Sequence, residues 1–175
     1  MGKNSIKQIK SKKVSILLVE DSKEDIQMIT NYINESNRIE ADIHTVNSIK
    51  KAKTLMFYEQ VDILIVDLNT ENVRLEELLE RFKGDVLSTP YVVITDERDE
   101  DMGIEAVQKG AQDYLVRSEL SERILRRTIT YSIQRHEILQ SLYKTTIVDE
   151  LTGLYNRRGL HTLGDQQIEL AKRHN

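Results

Sequence analysis

The residues Val61-Asp-Ile-Leu-Ile-Val-Asp67-Leu68 form a short apolar run, rich in β-branched side chains, that stops at a carboxylate. A run of this length and composition predicts a strand covered on both faces, as in a parallel sheet. In open parallel sheets, ligands bind outside the carboxyl ends of the strands. Asp67 is therefore the candidate for the central residue of a functional site.

Four further apolar runs lie on either side of this one, and apolar residues recur at helical spacing between them. The helical pattern is clearest at Leu75, Leu78, Leu79 and Phe82. Strands that alternate with helices predict an α/β fold, a doubly wound five-stranded parallel sheet. The predicted strands are residues 14–19, 41–46, 61–68, 91–94 and 113–116.

A long C-terminal helix is predicted because residues 119–148 contain neither proline nor glycine. Its first two turns, with Ile124, Leu125 and Ile129, are expected to pack on the sheet. Beyond Ser132 no sheet remains to cover the later apolar residues, so a partner helix is the better explanation and a homodimer is expected. These later residues are Ile138, Leu139 and Leu142.

Polar side chains follow four of the predicted strands. In the flavodoxin-like strand order 2-1-3-4-5, the switch point lies between strands one and three, which brings Glu20, Asp21 and Asp67 together. Thr95 and Arg117 follow strands four and five. Three acids in one cleft repel each other unless a hard cation lies among them, and oxygen-only ligands suit Mg²⁺.

The composition, 39% hydrophobic and 31% charged with no cysteine, is typical of a soluble globular protein, and a cytoplasmic location is the simplest expectation. No apolar run approaches the roughly 18 residues of a membrane span, so no membrane contact is predicted. Five lysines in residues 1–13 could form a nucleic-acid arm. A disordered basic tail is the preferred interpretation, because no arginine or aromatic residue interleaves with them.

In the polar residues at the strand ends and the apolar runs before them, the sequence resembles the receiver domain of two-component response regulators. The resemblance covers residues 12–132. The resemblance implies that Asp67 accepts a phosphoryl group from a histidine kinase or a phosphotransfer protein. It is carried by Ile16-Leu-Leu-Val-Glu-Asp-Ser22, Asp62-Ile-Leu-Ile-Val-Asp-Leu68, Val92-Val-Ile-Thr95 and Gly110-Ala-Gln-Asp-Tyr-Leu-Val-Arg117.

The same resemblance assigns roles to the residues around Asp67. Glu20, Asp21 and Asp67, with the backbone carbonyl of Asn69, would hold Mg²⁺. Thr95 would hydrogen-bond the phosphoryl oxygens, and Tyr114 would be the aromatic side chain that moves inward with it. Arg117 stands where the family has lysine.

The sequence also departs from the family pattern near the site. Ser118 replaces a proline, and Asp96 stands where the family usually has a small residue. The loop Asn69-Thr-Glu-Asn72 lacks the usual proline and glycine. Arginine keeps the charge of lysine but presents a planar fork, so its pairing with a phosphoryl group is expected to differ.

A second resemblance begins after the long helix, where Asp149-Glu-Leu-Thr-Gly-Leu-Tyr-Asn-Arg-Arg158 looks like the opening of GGDEF domains, the diguanylate cyclases. The catalytic motif of such a domain would lie beyond Asn175. The chain is therefore expected to be a truncated piece of a cyclase and not itself an enzyme. The predicted organisation is a basic tail (1–13), a receiver domain (14–132), a helical stalk (133–148) and the start of a GGDEF domain (149–175).

Two hypotheses for function follow. In the first, Mg²⁺-dependent phosphorylation of Asp67 controls dimerisation and, in the parent protein, synthesis of cyclic di-GMP from GTP. The alternative is a pseudo-receiver that acts without phosphorylation, as a module for protein docking or dimerisation. A DNA-binding regulator is disfavoured, because no basic recognition helix follows the receiver.

Overall fold

The computed structural model describes residues 13–35, 39–71, 73–82 and 89–147, and nine further residues between 152 and 167. The predicted basic tail lies outside the described residues apart from Lys13, as does most of the predicted GGDEF segment. The chain divides into two compact units, Met1–Ile133 and Gln134–Asn175.

Five parallel strands form the sheet: β1 (Val14–Val19), β2 (Ala41–Val46), β3 (Ile63–Asp67), β4 (Tyr91–Thr95) and β5 (Asp113–Val116). Their order in the sheet is β2-β1-β3-β4-β5, which confirms the predicted architecture. The apolar run around Asp67 forms the central strand, and every residue of β3 and of its neighbour β4 is buried. Burial on both faces explains why these two strands are continuously apolar rather than alternating.

Helices cover both faces of the sheet, so the core is divided into two apolar clusters. Leu17, Leu64 and Val93 point into one cluster. Their neighbours along the strands point into the other, since successive strand residues face opposite sides. The helices are α1 (Lys23–Glu35), α2 (Ile49–Tyr58), α3 (Leu75–Phe82), α4 (Glu100–Gln108) and α5 (Glu122–Ile147).

Local sequence signals set the ends of several helices. The hydroxyl of Ser22 accepts a hydrogen bond from the N–H of Asp25 at 3.3 Å, as expected of an N-cap. Gly110 follows α4 with a φ of 122°, a left-handed conformation that glycine adopts without steric cost.

The long helix α5 begins three residues later than the sequence pattern predicted. A 3₁₀ turn, Arg117–Glu119, comes first, and the hydroxyl of Ser121 then accepts a hydrogen bond from the N–H of Ile124. Leu125 and Ile129 are buried against the sheet, as predicted. Within the described part of the chain, no helix is both long and apolar enough to cross a membrane.

Candidate functional site

The candidate site lies at the carboxyl ends of β1, β3, β4 and β5. In the parallel register, Val19 pairs with Val66 and Thr95 pairs with Val116, so these four strands end side by side. Glu20 and Arg117 directly follow their strands, while Asp67 and Thr95 are the last residues of theirs. The topology thus gathers the polar residues predicted from the strand ends.

Asp67 is fully buried, and both of its oxygens have partners. Oδ1 accepts a hydrogen bond from the N–H of Asn69 at 2.8 Å, and Oδ2 accepts one from Nη2 of Arg117. Burial raises the pKa of Asp67 from 3.8 to about 7, and the neighbouring Glu20 carboxyl adds to the rise. The Asn69 N–H and the charge of Arg117 lower this pKa, which favours the ionised form.

Glu20 is buried beside Asp67 and is held through one oxygen only. Its Oε1 accepts the N–H groups of Asp21 and Ser22 at 2.8 and 2.9 Å. Its buried Oε2 accepts no hydrogen bond from any residue that the structure describes. Asp21 is exposed, and its Oδ2 accepts the N–H of Glu71 at 3.2 Å.

The guanidinium of Arg117 lies among acids from three different elements. Nη2 donates to Asp67, Nε donates to Oδ1 of Asp96 at 2.9 Å, and Nη1 lies 2.6 Å from Oδ2 of Asp25. The last pair is an ion pair without the alignment of a hydrogen bond. Burial lowers the pKa of Arg117, but the charge of Asp67 and the hydrogen bond with Asp96 outweigh it and raise the pKa overall.

Asp96 connects Arg117 to the loop that follows β3. Its Oδ1 accepts from Arg117, while its Oδ2 accepts from Nδ2 of Asn69 at 2.6 Å. Since the N–H of Asn69 also donates to Asp67, these four residues form a closed ring of hydrogen bonds. The side chain at position 96 is thus part of the site rather than a neighbour of it.

Thr95 and Tyr114 make their hydrogen bonds away from Asp67. The Thr95 hydroxyl donates to the carbonyl oxygen of Asp99 at 2.9 Å, and the Tyr114 hydroxyl donates to Oε1 of Glu100 at 2.7 Å. This hydrogen bond raises the pKa of Tyr114. Gly103 makes room for the ring, since a Cβ atom there would lie 2.7 Å from Cδ2 of Tyr114.

The donors near Asp67 suit a hard divalent cation, because they are carboxylate oxygens and one buried oxygen of Glu20 lacks a hydrogen-bond partner. The arrangement, however, already contains a cation. Nη1 of Arg117 stands 4.0 Å from that Glu20 oxygen. Within the described residues, no three acids or histidines are gathered closely enough to hold a metal ion. The carboxylate oxygens are thus of the type that Mg²⁺ prefers, but in this arrangement the guanidinium of Arg117 lies between Asp67 and Glu20.

Two residues of this site were not identified as such from the sequence. From the sequence, Asp25 has no predicted role at the site, and Asp96 stands out only as a departure from the family pattern. Both are partners of Arg117. The sequence shows an excess of acids at strand ends and helix starts. It does not reveal which of them the guanidinium of Arg117 contacts.

The family model of the response regulator receiver domain matches residues 16–129, well over half of the chain. No curated protein is significantly similar in sequence.

Solved structures show the same fold. The signal receiver domain of a protein described as a LuxO repressor from Vibrio parahaemolyticus has a TM-score of 0.63 and 21% identity, covering 75% of this chain and 98% of that one. A receiver domain from Bacteroides fragilis has a TM-score of 0.59 and 21% identity, covering 70% of this chain and 98% of that one. A receiver domain from Clostridium thermocellum has a TM-score of 0.61 and 20% identity, covering 72% of this chain and 98% of that one.

Proposed function

The chain belongs to the response regulator receiver domain family, and from this premise we propose that Asp67 is the residue that accepts the phosphoryl group. The donor would be a phosphohistidine on a histidine kinase or a phosphotransfer protein. A carboxylate oxygen of Asp67 attacks phosphorus, the P–N bond breaks, and the imidazole leaves. The product is an acyl phosphate on Asp67.

The position of Asp67 carries this proposal. Its carboxyl group is fully buried at the end of the central strand, and a backbone N–H fixes one oxygen while a guanidinium contacts the other. Phosphoryl transfer depends mainly on positioning the nucleophile and on groups that neutralise charge on the transferred oxygens. Arg117 supplies such a charge, and Thr95 could supply a hydroxyl donor if it leaves the carbonyl of Asp99.

Glu20, Asp21, Asp67 and the backbone carbonyl of Asn69 would hold Mg²⁺. When bound, the metal would neutralise charge on the phosphoryl oxygens and so assist transfer.

Incubation with a small phosphodonor, with and without Mg²⁺, tests the proposed phosphorylation of Asp67 by measuring the intact mass of the protein. We expect an added phosphoryl group only with Mg²⁺. A wild type that gains no mass under conditions that label an ordinary receiver would instead favour a docking module that works without phosphorylation.

We also propose that α5 pairs two copies of the chain. Ile138, Leu139 and Leu142 are 61%, 42% and 59% exposed, although they are large aliphatic residues. Leaving such a side chain in water forgoes roughly 1.5 to 3 kcal/mol relative to full burial. A second copy could cover all three by a two-fold contact, in which the same surface serves both partners.

Light scattering tests this pairing. The wild type should be a dimer, and the double variant Ile138→Asp with Leu142→Asp should be a monomer, because charges are costly in an apolar seam. Tyr58→Asp is a matched control, since it adds a charge at another exposed apolar residue, 78% exposed at the end of α2. A wild type that stays monomeric at high concentration, with or without phosphodonor, contradicts the pairing.

The output in the parent protein is proposed from residues 149–158, which resemble the opening of a GGDEF domain. Condensing two GTP molecules into cyclic di-GMP requires two such domains face to face, so a receiver that controls pairing is a natural regulator of it. We place this signalling in the cytoplasm, where a phosphorylated kinase and GTP are both available.

A further inference from the structure

All three nitrogens of the Arg117 guanidinium contact a different acid. Asp25 lies in α1, Asp67 ends β3, and Asp96 follows β4, so the side chain links three separate elements. The arginine side chain is only 23% exposed. A lysine at this position has a single ammonium and could not match three separated carboxylates in this way.

Two of these acids leave Arg117 little freedom to move. Asp96 is itself held by Nδ2 of Asn69 at 2.6 Å, and Asn69 is tied to Asp67 through its backbone N–H. Asp25 lies in the first turn of α1, behind the cap formed by Ser22. The guanidinium is therefore fixed on its Nε and Nη1 sides, while its Nη2 side contacts Asp67.

The anchored guanidinium also faces a buried oxygen of Glu20 that accepts no hydrogen bond from the residues that the structure describes. Nη1 stands 4.0 Å from Oε2 of Glu20, a residue that is 3% exposed. Arg117 thus contacts Asp67 and lies close to Glu20, the two buried acids that a divalent cation would share. The positive charge that these acids need is provided by the chain itself.

We propose that Asp25 and Asp96 are positioning residues that hold Arg117 in the place of a divalent cation, so that a metal must displace an anchored side chain before it reaches Asp67. The proposal rests on the proposed function, in which a metal assists phosphoryl transfer. It assigns to Asp25 and Asp96 the control of how readily the site admits that metal.

The substitution Arg117→Lys separates the effect of the three guanidinium contacts from the effect of the charge. It keeps the positive charge and removes the planar guanidinium that contacts Asp25, Asp67 and Asp96. Titration of the unphosphorylated protein with Mn²⁺, followed by calorimetry and by paramagnetic broadening of NMR signals, measures the affinity directly. We expect Arg117→Lys to bind Mn²⁺ about tenfold more tightly than the wild type. Arg126→Lys is the matched control, since Arg126 pairs with Glu122 on α5, and its affinity should equal that of the wild type.

A second comparison tests the anchors. Asp25→Asn with Asp96→Asn removes two negative charges, which alone weakens binding of a cation. In the Arg117→Gln background, where no guanidinium is present, we expect the full decrease in Mn²⁺ affinity from these two lost charges. With Arg117 present, the loss should be smaller or become a gain, because the unanchored guanidinium yields more easily.

Equal affinity of the wild type and Arg117→Lys overturns the proposal, as does the absence of Mn²⁺ binding in both. Equal effects of the paired asparagine substitutions in both backgrounds overturn the role of Asp25 and Asp96. These results are independent of the labelling of Asp67. Tighter metal binding without any labelling would reject the proposed function alone, whereas labelling without a change in metal affinity would reject the anchoring alone.

Discussion

Asp67→Asn should stabilise the protein, and the gain should be larger by on the order of 2 to 3 kcal/mol near pH 8 than near pH 5. The pKa of Asp67 is about 7 in the folded protein, against an ordinary value of 3.8. Between these two values the folded state keeps a proton that the unfolded state releases, so stability falls as the pH rises. Above the folded pKa the full cost of a buried charge is present, and asparagine removes it.

Urea unfolding at both pH values measures this difference, since titrating groups remote from Asp67 are shared by the two proteins and cancel. Asp101→Asn is the control for removing a carboxyl group that is exposed, on α4, rather than buried. If the gain from Asp67→Asn is the same at both pH values, Asp67 titrates near its ordinary pKa and the account of its burial is wrong.

Arg117→Ala should have the opposite effect and destabilise the protein by about 3 to 5 kcal/mol near pH 8, because it leaves buried charge without a counterion. Asp67 is 0% exposed and Glu20 is 3% exposed, so water cannot replace the guanidinium readily. The loss should shrink near pH 5, where Asp67 holds a proton. Arg126→Ala removes a more exposed ion pair and should cost less than about 1 kcal/mol.

A double-mutant cycle with Asp67→Asn identifies the origin of that loss. Arg117→Ala should cost much less in the Asp67→Asn background, since the carboxylate that most needs the guanidinium is gone. Equal losses in both backgrounds would show that Arg117 stabilises the fold through Asp25 and Asp96 and that its contact with Asp67 is energetically minor.

The sheet could be predicted well because strands that are buried on both faces appear in the sequence as continuous apolar runs. The continuous apolar runs that became β3 and β4 identify strands without reference to any partner, and their ends mark the edge where polar residues gather. The bounds of two strands differ in detail from the prediction. β3 is shorter at both ends, Ile63–Asp67 against 61–68, and β4 extends one residue further, to Thr95. Such boundaries depend on the hydrogen bonds of neighbouring strands, which a single stretch of sequence does not specify.

The contacts of Arg117 could not be predicted in the same way. Its position after β5 follows from the chain order, but its partners Asp25 and Asp96 come from two other elements. A long side chain can satisfy its charge with any acid in reach, and which acids these are depends on tertiary packing. From the sequence, Mg²⁺ alone is expected among the acids, whereas in the structure the guanidinium of Arg117 lies among them.

The phosphoacceptor role of Asp67 is tested most directly by locating the phosphoryl group. After incubation with a small phosphodonor and Mg²⁺, reduction of the acyl phosphate with borohydride converts the modified aspartate into homoserine, which peptide mass spectrometry can assign to one residue. We expect homoserine at position 67, with none at Asp21 or Asp96, no reduced side chain at Glu20, and no modified peptide in Asp67→Asn. Conversion at another acid, or equal modification of the wild type and Asp67→Asn, would contradict the account.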